Sequence, residues 1–127
     1  MTETTEMFSA PLTFNWTLSY RCNFSCDHCY SRDEDCPELS TAEILKIVDV
    51  LVEQQVPFIN FGGGEPLIRQ DLLEVAAYAS ERGLNVSMNS NGWLLDDTAA
   101  QQLKDAGFKS VGISIDSAEA DKHDAFR

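Results

Sequence analysis

The chain has 127 residues, with 9 Lys+Arg against 21 Asp+Glu and a formal net charge of -12, which argues against a basic surface for nucleic acid or any other polyanion. Hydrophobic residues make up 43% and charged residues 24%, ordinary globular usage that argues against intrinsic disorder and coiled coil. No apolar run reaches the ~20 residues that cross a bilayer, and residues 1–5 lack the basic start and apolar stretch of a signal peptide, so the expectation is a cytoplasmic protein without membrane contact.

In chain order, short β-rich runs alternate with amphipathic helical segments, the rhythm of a parallel α/β sheet. After an amino-terminal extension, residues 1–11, residues 12–20 are rich in β-formers (Thr13, Phe14, Trp16, Thr17, Tyr20) and read as the first strand. The polar, cysteine-bearing stretch 21–39 reads as a functional loop. Ser40 and Glu43 have the spacing of a capping box, and Ile44, Ile47, Val48 and Leu51 place one apolar stripe on the helix that follows. Residues 56–61 form a short apolar run, a buried strand that feeds Gly62, Gly63 and Gly64. Leu72, Val75, Ala76 and Ala79 keep helical spacing, with Gly83 as a left-handed stop.

The third strand is expected over residues 84–88, with Asn91-Gly92 as its turn, and the third helix over 97–106, opened by Asp96 and Asp97 and stopped by Gly107. Val111, Ile113 and Ile115 alternate as a fourth strand, and residues 116–127 begin a polar segment. Three βα units and a fourth strand do not close an eight-unit barrel at ~30 residues per unit. The chain is then either an open four-stranded sheet or the amino-terminal part of something longer, and because the last strand is followed by polar residues with no terminal capping element, the second is the expectation for residues 12–127.

Sites in parallel α/β folds gather at the carboxyl ends of the strands, and the strand ends here carry the motifs. Cys22-x-x-x-Cys26-x-x-Cys29 places three thiols on one loop. Three thiolates suit a soft metal or an iron–sulfur cluster and leave one coordination position open. The same spacing describes a zinc site completed by His28 or Cys36, or an incidental grouping of reduced cysteines. After the second strand, Gly62-Gly63-Gly64-Glu65-Pro66 offers bare backbone for close approach to a ligand, and Glu65 a negative charge for an ammonium. A glycine run in a tight βα turn is also often structural only.

Together, Cys22-x-x-x-Cys26-x-x-Cys29 and Gly62-Gly63-Gly64-Glu65-Pro66, in this order after the first and second strands, resemble the radical S-adenosylmethionine enzymes. The resemblance covers roughly residues 12–127 and implies the first three and a half βα units of a partial TIM-type barrel. It implies that Cys22, Cys26 and Cys29 bind three irons of a [4Fe-4S] cluster, the fourth iron being chelated by the amino and carboxylate groups of S-adenosylmethionine. Gly63, Gly64 and Glu65 correspond to the motif that contacts the methionine amino group, and Tyr30 to an aromatic position beside the adenine.

Asn89-Ser90-Asn91-Gly92 is similar to a turn whose hydroxyl and amide reach the cofactor, which puts Ser90 and Asn91 in the site; its plainer reading is an Asn-Gly turn. Residues 111–116 are similar to a V-x-I-S-x-D strand in which Ser114 contacts the cofactor, and the pleat sets Ser114 opposite Ile113 and Ile115, which would pack under the helices. Asp116 stands either against cofactor or substrate or as a helix cap. His123-Asp124-x-x-Arg127 and the Cys-Asp-His-Cys-Tyr run at 26–30 resemble the subgroup that matures peptides or modifies tetrapyrroles, many members of which carry an extra cluster domain. His28 is read as a neighbour of the ligands and Cys36 as a spare thiol.

The function implied is reductive cleavage of S-adenosylmethionine to a 5'-deoxyadenosyl radical that takes hydrogen from a peptide or tetrapyrrole-like substrate, with an electron donor such as ferredoxin or flavodoxin. Two rival readings need only the cysteines: a non-enzymatic iron–sulfur electron carrier, and a zinc-stabilised interaction module. Neither requires the glycine-rich motif or Ser114.

Overall fold

The computed structural model describes residues 10–19, 37–115 and 118–122. Cys22, Cys26, His28, Cys29, Tyr30, Cys36, Asp116 and the 123–127 motif lie outside these residues. The elements run β1 (Thr13–Ser19), α1 (Thr41–Glu53), β2 (Phe58–Gly63), a short 3-10 turn (Pro66–Ile68), α2 (Leu72–Glu81), β3 (Asn85–Ser90), α3 (Asp97–Asp105) and β4 (Phe108–Ile113). The four strands are all parallel and lie in the order β1-β2-β3-β4, three βα units and a fourth strand.

Side-chain alternation gives the sheet two unlike faces. Trp16 and Leu18, Ile59 and Phe61, and Val86 and Met88 are buried on one face, against Ile44, Val48 and Leu51 of α1 and Leu72, Val75, Ala76 and Ala79 of α2. On the other face Asn15, Asn60 and Ser87 stand in register. There Asn60 Nδ2 donates to Asn15 Oδ1 at 3.3 Å and Ser87 Oγ to Asn60 Oδ1 at 3.0 Å. That face is a polar row, not a second core.

The helix ends follow from local chemistry. Ser40 caps α1 by accepting from the Glu43 N–H at 3.2 Å, and Asp96 caps α3 by accepting from the Ala99 N–H at 2.7 Å. Gly83 and Gly107, with φ of 91° and 99°, end the α2 and α3 segments in the left-handed region.

Strand bounds differ from the sequence expectation for stated reasons. β2 begins at Phe58, because Pro57 has no N–H for the ladder, and extends to Gly63, which pairs with Ser19. Leu84 is drawn off by a bond from its N–H to Ala79 O at 3.2 Å, so β3 starts at Asn85 and continues to Ser90. β4 starts at Phe108 and ends at Ile113. Ile113 and Ile115 are 41% and 69% exposed, so they do not pack under the helices as the alternation suggested. β4 is an edge strand, and α3 contributes a single buried residue, Leu103. Among the described residues no helix is long and apolar enough to cross a membrane.

Candidate functional site

The segment that follows β2 ties the carboxyl ends of β1, β2 and β3 together. Gly63 has φ +104°, and a Cβ there would lie 2.5 Å from Ser19 O and 2.5 Å from Thr17 Cγ2, so only glycine lets β2 close on the end of β1. The next N–H, of Gly64, donates to Ser19 O at 2.7 Å. Glu65 then turns inward and is 1% exposed.

The Glu65 carboxylate is held by three donors. Oε1 accepts from the Ser90 hydroxyl at 2.8 Å and from the Leu67 N–H at 3.3 Å, and Oε2 accepts from the Asn91 N–H at 2.8 Å. Of about four acceptor directions on a carboxylate, one on Oε2 is left over among the described residues. No ion pair to Glu65 is formed among them either, so a buried negative charge rests on hydrogen bonds alone.

Ser90 is 2% exposed, and its hydroxyl, besides donating to Glu65, accepts from the Gly92 N–H at 3.0 Å. Asn91 closes an Asx turn, its side-chain oxygen accepting from the Trp93 N–H at 3.0 Å. Ser114 is joined through the backbone, its N–H donating to Ser90 O at 3.0 Å. Gly63, Gly64, Glu65, Ser90, Asn91 and Ser114 thus form one constellation across three strand ends. Cys22, Cys26, Cys29 and Tyr30 lie on residues outside the described set, in the segment that leaves the end of β1.

One residue that the sequence reading passed over makes a separate set of bonds to the end of β1 and to the start of α1. Arg69, after the 3-10 turn, is 8% exposed. Its Nη1 donates to Leu18 O at 3.1 Å, its Nη2 to Leu39 O at 2.7 Å, and Nε and Nη2 grip the Asp71 carboxylate at 2.5 and 3.1 Å. Asp71 also accepts from the Thr41 hydroxyl at 2.5 Å. Burial pushes the Asp71 carboxyl up, but the bonds from Arg69 and Thr41 and the Arg69 charge outweigh it, and the group is held below its ordinary value of 3.8. The available signal was a basic residue two positions before an acidic one, Arg69-x-Asp71, in a chain with only 9 cations.

The parallel sheet with its connecting helices defines a partial TIM-type barrel, with the Glu65 constellation at the carboxyl edge of the sheet. The Radical SAM superfamily profile matches residues 16–127, and the chain belongs to that superfamily. It is a family of enzymes whose cofactors are a [4Fe-4S] cluster and S-adenosylmethionine.

Among curated relatives, Fe-coproporphyrin III synthase of Methanosarcina barkeri is 42% identical over 115 residues, covering 88% of this chain and 29% of that protein. Mycofactocin maturase MftC of Mycolicibacterium smegmatis is 38% identical over 120 residues, 93% of this chain and 31% of that protein. The chain therefore spans about 30% of the length of the curated relatives it matches. In fold it is similar to Streptococcus suis SuiB, in structures bound to S-adenosylmethionine and to precursor peptide SuiA. The TM-scores are 0.78 and 0.77 at 18% and 17% identity, covering 89% of this chain and 27% and 26% of SuiB.

Proposed function

We propose that residues 12–127 are the amino-terminal half of a radical S-adenosylmethionine core in a cytoplasmic enzyme. In it Cys22, Cys26 and Cys29 ligate the [4Fe-4S] cluster, and Gly63, Gly64 and Glu65 receive the methionine amino group. The observation that carries this reading is the buried Glu65 carboxylate, met by Ser90, Leu67 and Asn91, lacking a cation among the described residues and standing beside bare glycine backbone. An ammonium would complete both its charge and its remaining acceptor direction. The donor set agrees: three thiols hold three irons and leave one for a chelating ligand.

When bound, the reduced cluster would supply one electron to the sulfonium of S-adenosylmethionine, and the chemistry supplied would be reductive carbon–sulfur cleavage that generates a radical for hydrogen abstraction from substrate. The chain's own residues do the holding. Ser90 orients the Glu65 carboxylate, and Asn91 adds its N–H to that carboxylate and its side chain to the turn. By the family resemblance, Ser114 would contact the cofactor's carboxylate or ribose and Tyr30 would lie beside the adenine. The substrate class is a peptide or a tetrapyrrole, as the names of MftC, SuiB with SuiA, and Fe-coproporphyrin III synthase suggest. A reduced ferredoxin or flavodoxin is the electron donor.

The test is electron paramagnetic resonance of the anaerobically reconstituted, dithionite-reduced protein with and without S-adenosylmethionine. A [4Fe-4S] signal that changes on adding the cofactor is expected. A cluster indifferent to the cofactor would point to an electron carrier, and stoichiometric zinc without iron would overturn the reading.

A further inference from the structure

Arg69 makes four hydrogen bonds that have no part in the Glu65 constellation. Their acceptors are informative. Leu18 O and Leu39 O lie just before and just after residues 20–36, the stretch that carries all four cysteines. Glu38 Oε2 is 3.9 Å from the same guanidinium, and the Glu38 carboxylate accepts from the Ser19 hydroxyl. The two feet of the cysteine segment are therefore tied to each other and to one buried cation, which Asp71 grips from behind.

Such an arrangement is a poor device for stability alone. Desolvating a guanidinium and a carboxylate offsets most of their attraction, and apolar side chains of similar volume commonly replace such pairs without loss. A planar fork does what an apolar side chain cannot: it fixes two carbonyl oxygens and a carboxylate in one plane at set separations. We infer that Arg69 is a positioning residue for the cysteine segment, setting the span between its feet at Leu18 and Leu39 and so supporting ligation by the cysteines the segment carries. The inference rests on the ligand role proposed above. It goes beyond that role by assigning ligand placement to a side chain that touches neither cluster nor cofactor.

The test uses the full-length protein that contains these residues, anaerobically reconstituted. The variants are Arg69→Lys, Arg69→Gln and a stability control, Val56→Ala, in the core before β2 at the opposite end of the sheet. The readouts are thermal midpoint, rate of iron loss to a chelator, and the resonance of the reduced cluster with and without S-adenosylmethionine. Both Arg69 variants are expected to lose iron about tenfold faster than wild type, as when outer partners of metal ligands are removed. They should also give a broadened signal with a diminished response to the cofactor, whereas Val56→Ala keeps the wild-type rate and signal at a lower midpoint. Lysine retains the charge but not the fork, so it should not rescue.

Iron loss and signal unchanged in both Arg69 variants, or changed equally in the control, would overturn the inference while leaving the cluster reading intact. A wild type that takes up no cluster removes both, and is recognised before any variant is made. Should the Arg69 variants fail to fold, Ser19→Ala, which deletes the tie between the feet, is expected to raise the iron-loss rate by a smaller factor; an unchanged rate counts against the inference.

Discussion

A methyl group added at Gly63 would sit 2.5 Å from the Ser19 carbonyl oxygen, at a φ of +104°, and neither the clash with backbone nor the dihedral can be relieved by a side-chain rotation. At Gly62, one residue earlier, the added methyl meets nothing within 4 Å. Gly63→Ala is therefore expected to cost about 2 kcal/mol or more, and Gly62→Ala to stay within about 0.5 kcal/mol of wild type, both read by urea unfolding of the cluster-free chain. In sequence the three glycines look alike; what separates them is a carbonyl on another strand. Asp71 gives a second expectation. Its carboxyl is held below 3.8 in the folded state, so it contributes stability that is present above that value and lost as pH falls through the lowered one. Asp71→Asn should lower stability at about pH 6 and flatten the loss of stability that wild type shows below about pH 4, as measured by urea unfolding across pH.

At the level of elements, the helices were legible in the chain because their determinants are local. The Ser40 and Asp96 caps lie next to the turns they close, and the stripes of α1 and α2 show as spacing. Asp96→Ala should destabilise by about 1 kcal/mol, seen as a lower urea midpoint with unchanged slope, since the Ala99 N–H loses its acceptor. The strands were placed correctly and bounded less well. Their ends depend on which backbone groups the neighbouring strand or helix claims, as Ala79 O claims the Leu84 N–H. The turn Pro66–Ile68 carried no periodicity to find, being a single turn set by Pro66 and by the bond from the Leu67 N–H to Glu65. The expectation for Ile113 and Ile115 failed because alternation tells which residues share a face but not whether that face is covered.

Taken whole, the molecule separates what short-range chemistry writes from what long-range contact adds. The α/β class and the motif order follow from units of one strand and one helix, each readable on its own. The members of the candidate site were legible as residues, and Glu65, Ser90 and Asn91 do meet. Their ties were not legible: Ser90 to Glu65 and Arg69 to Leu18 cross 25 and 51 positions of chain, and join side chains to groups that sequence does not distinguish. The polar row of Asn15, Asn60 and Ser87 has the same origin, for only the register of three strands makes a row of three scattered residues.

The strand order β1-β2-β3-β4 repeats the order of the chain. No strand has to be threaded between two others already paired; the sheet lengthens at one border only. The clasp on Glu65 and the grip of Arg69 are both made entirely by residues up to Asn91. As the polypeptide leaves the ribosome amino end first, the cradle beside the cysteine segment can be assembled while α3 and everything beyond it are still being translated.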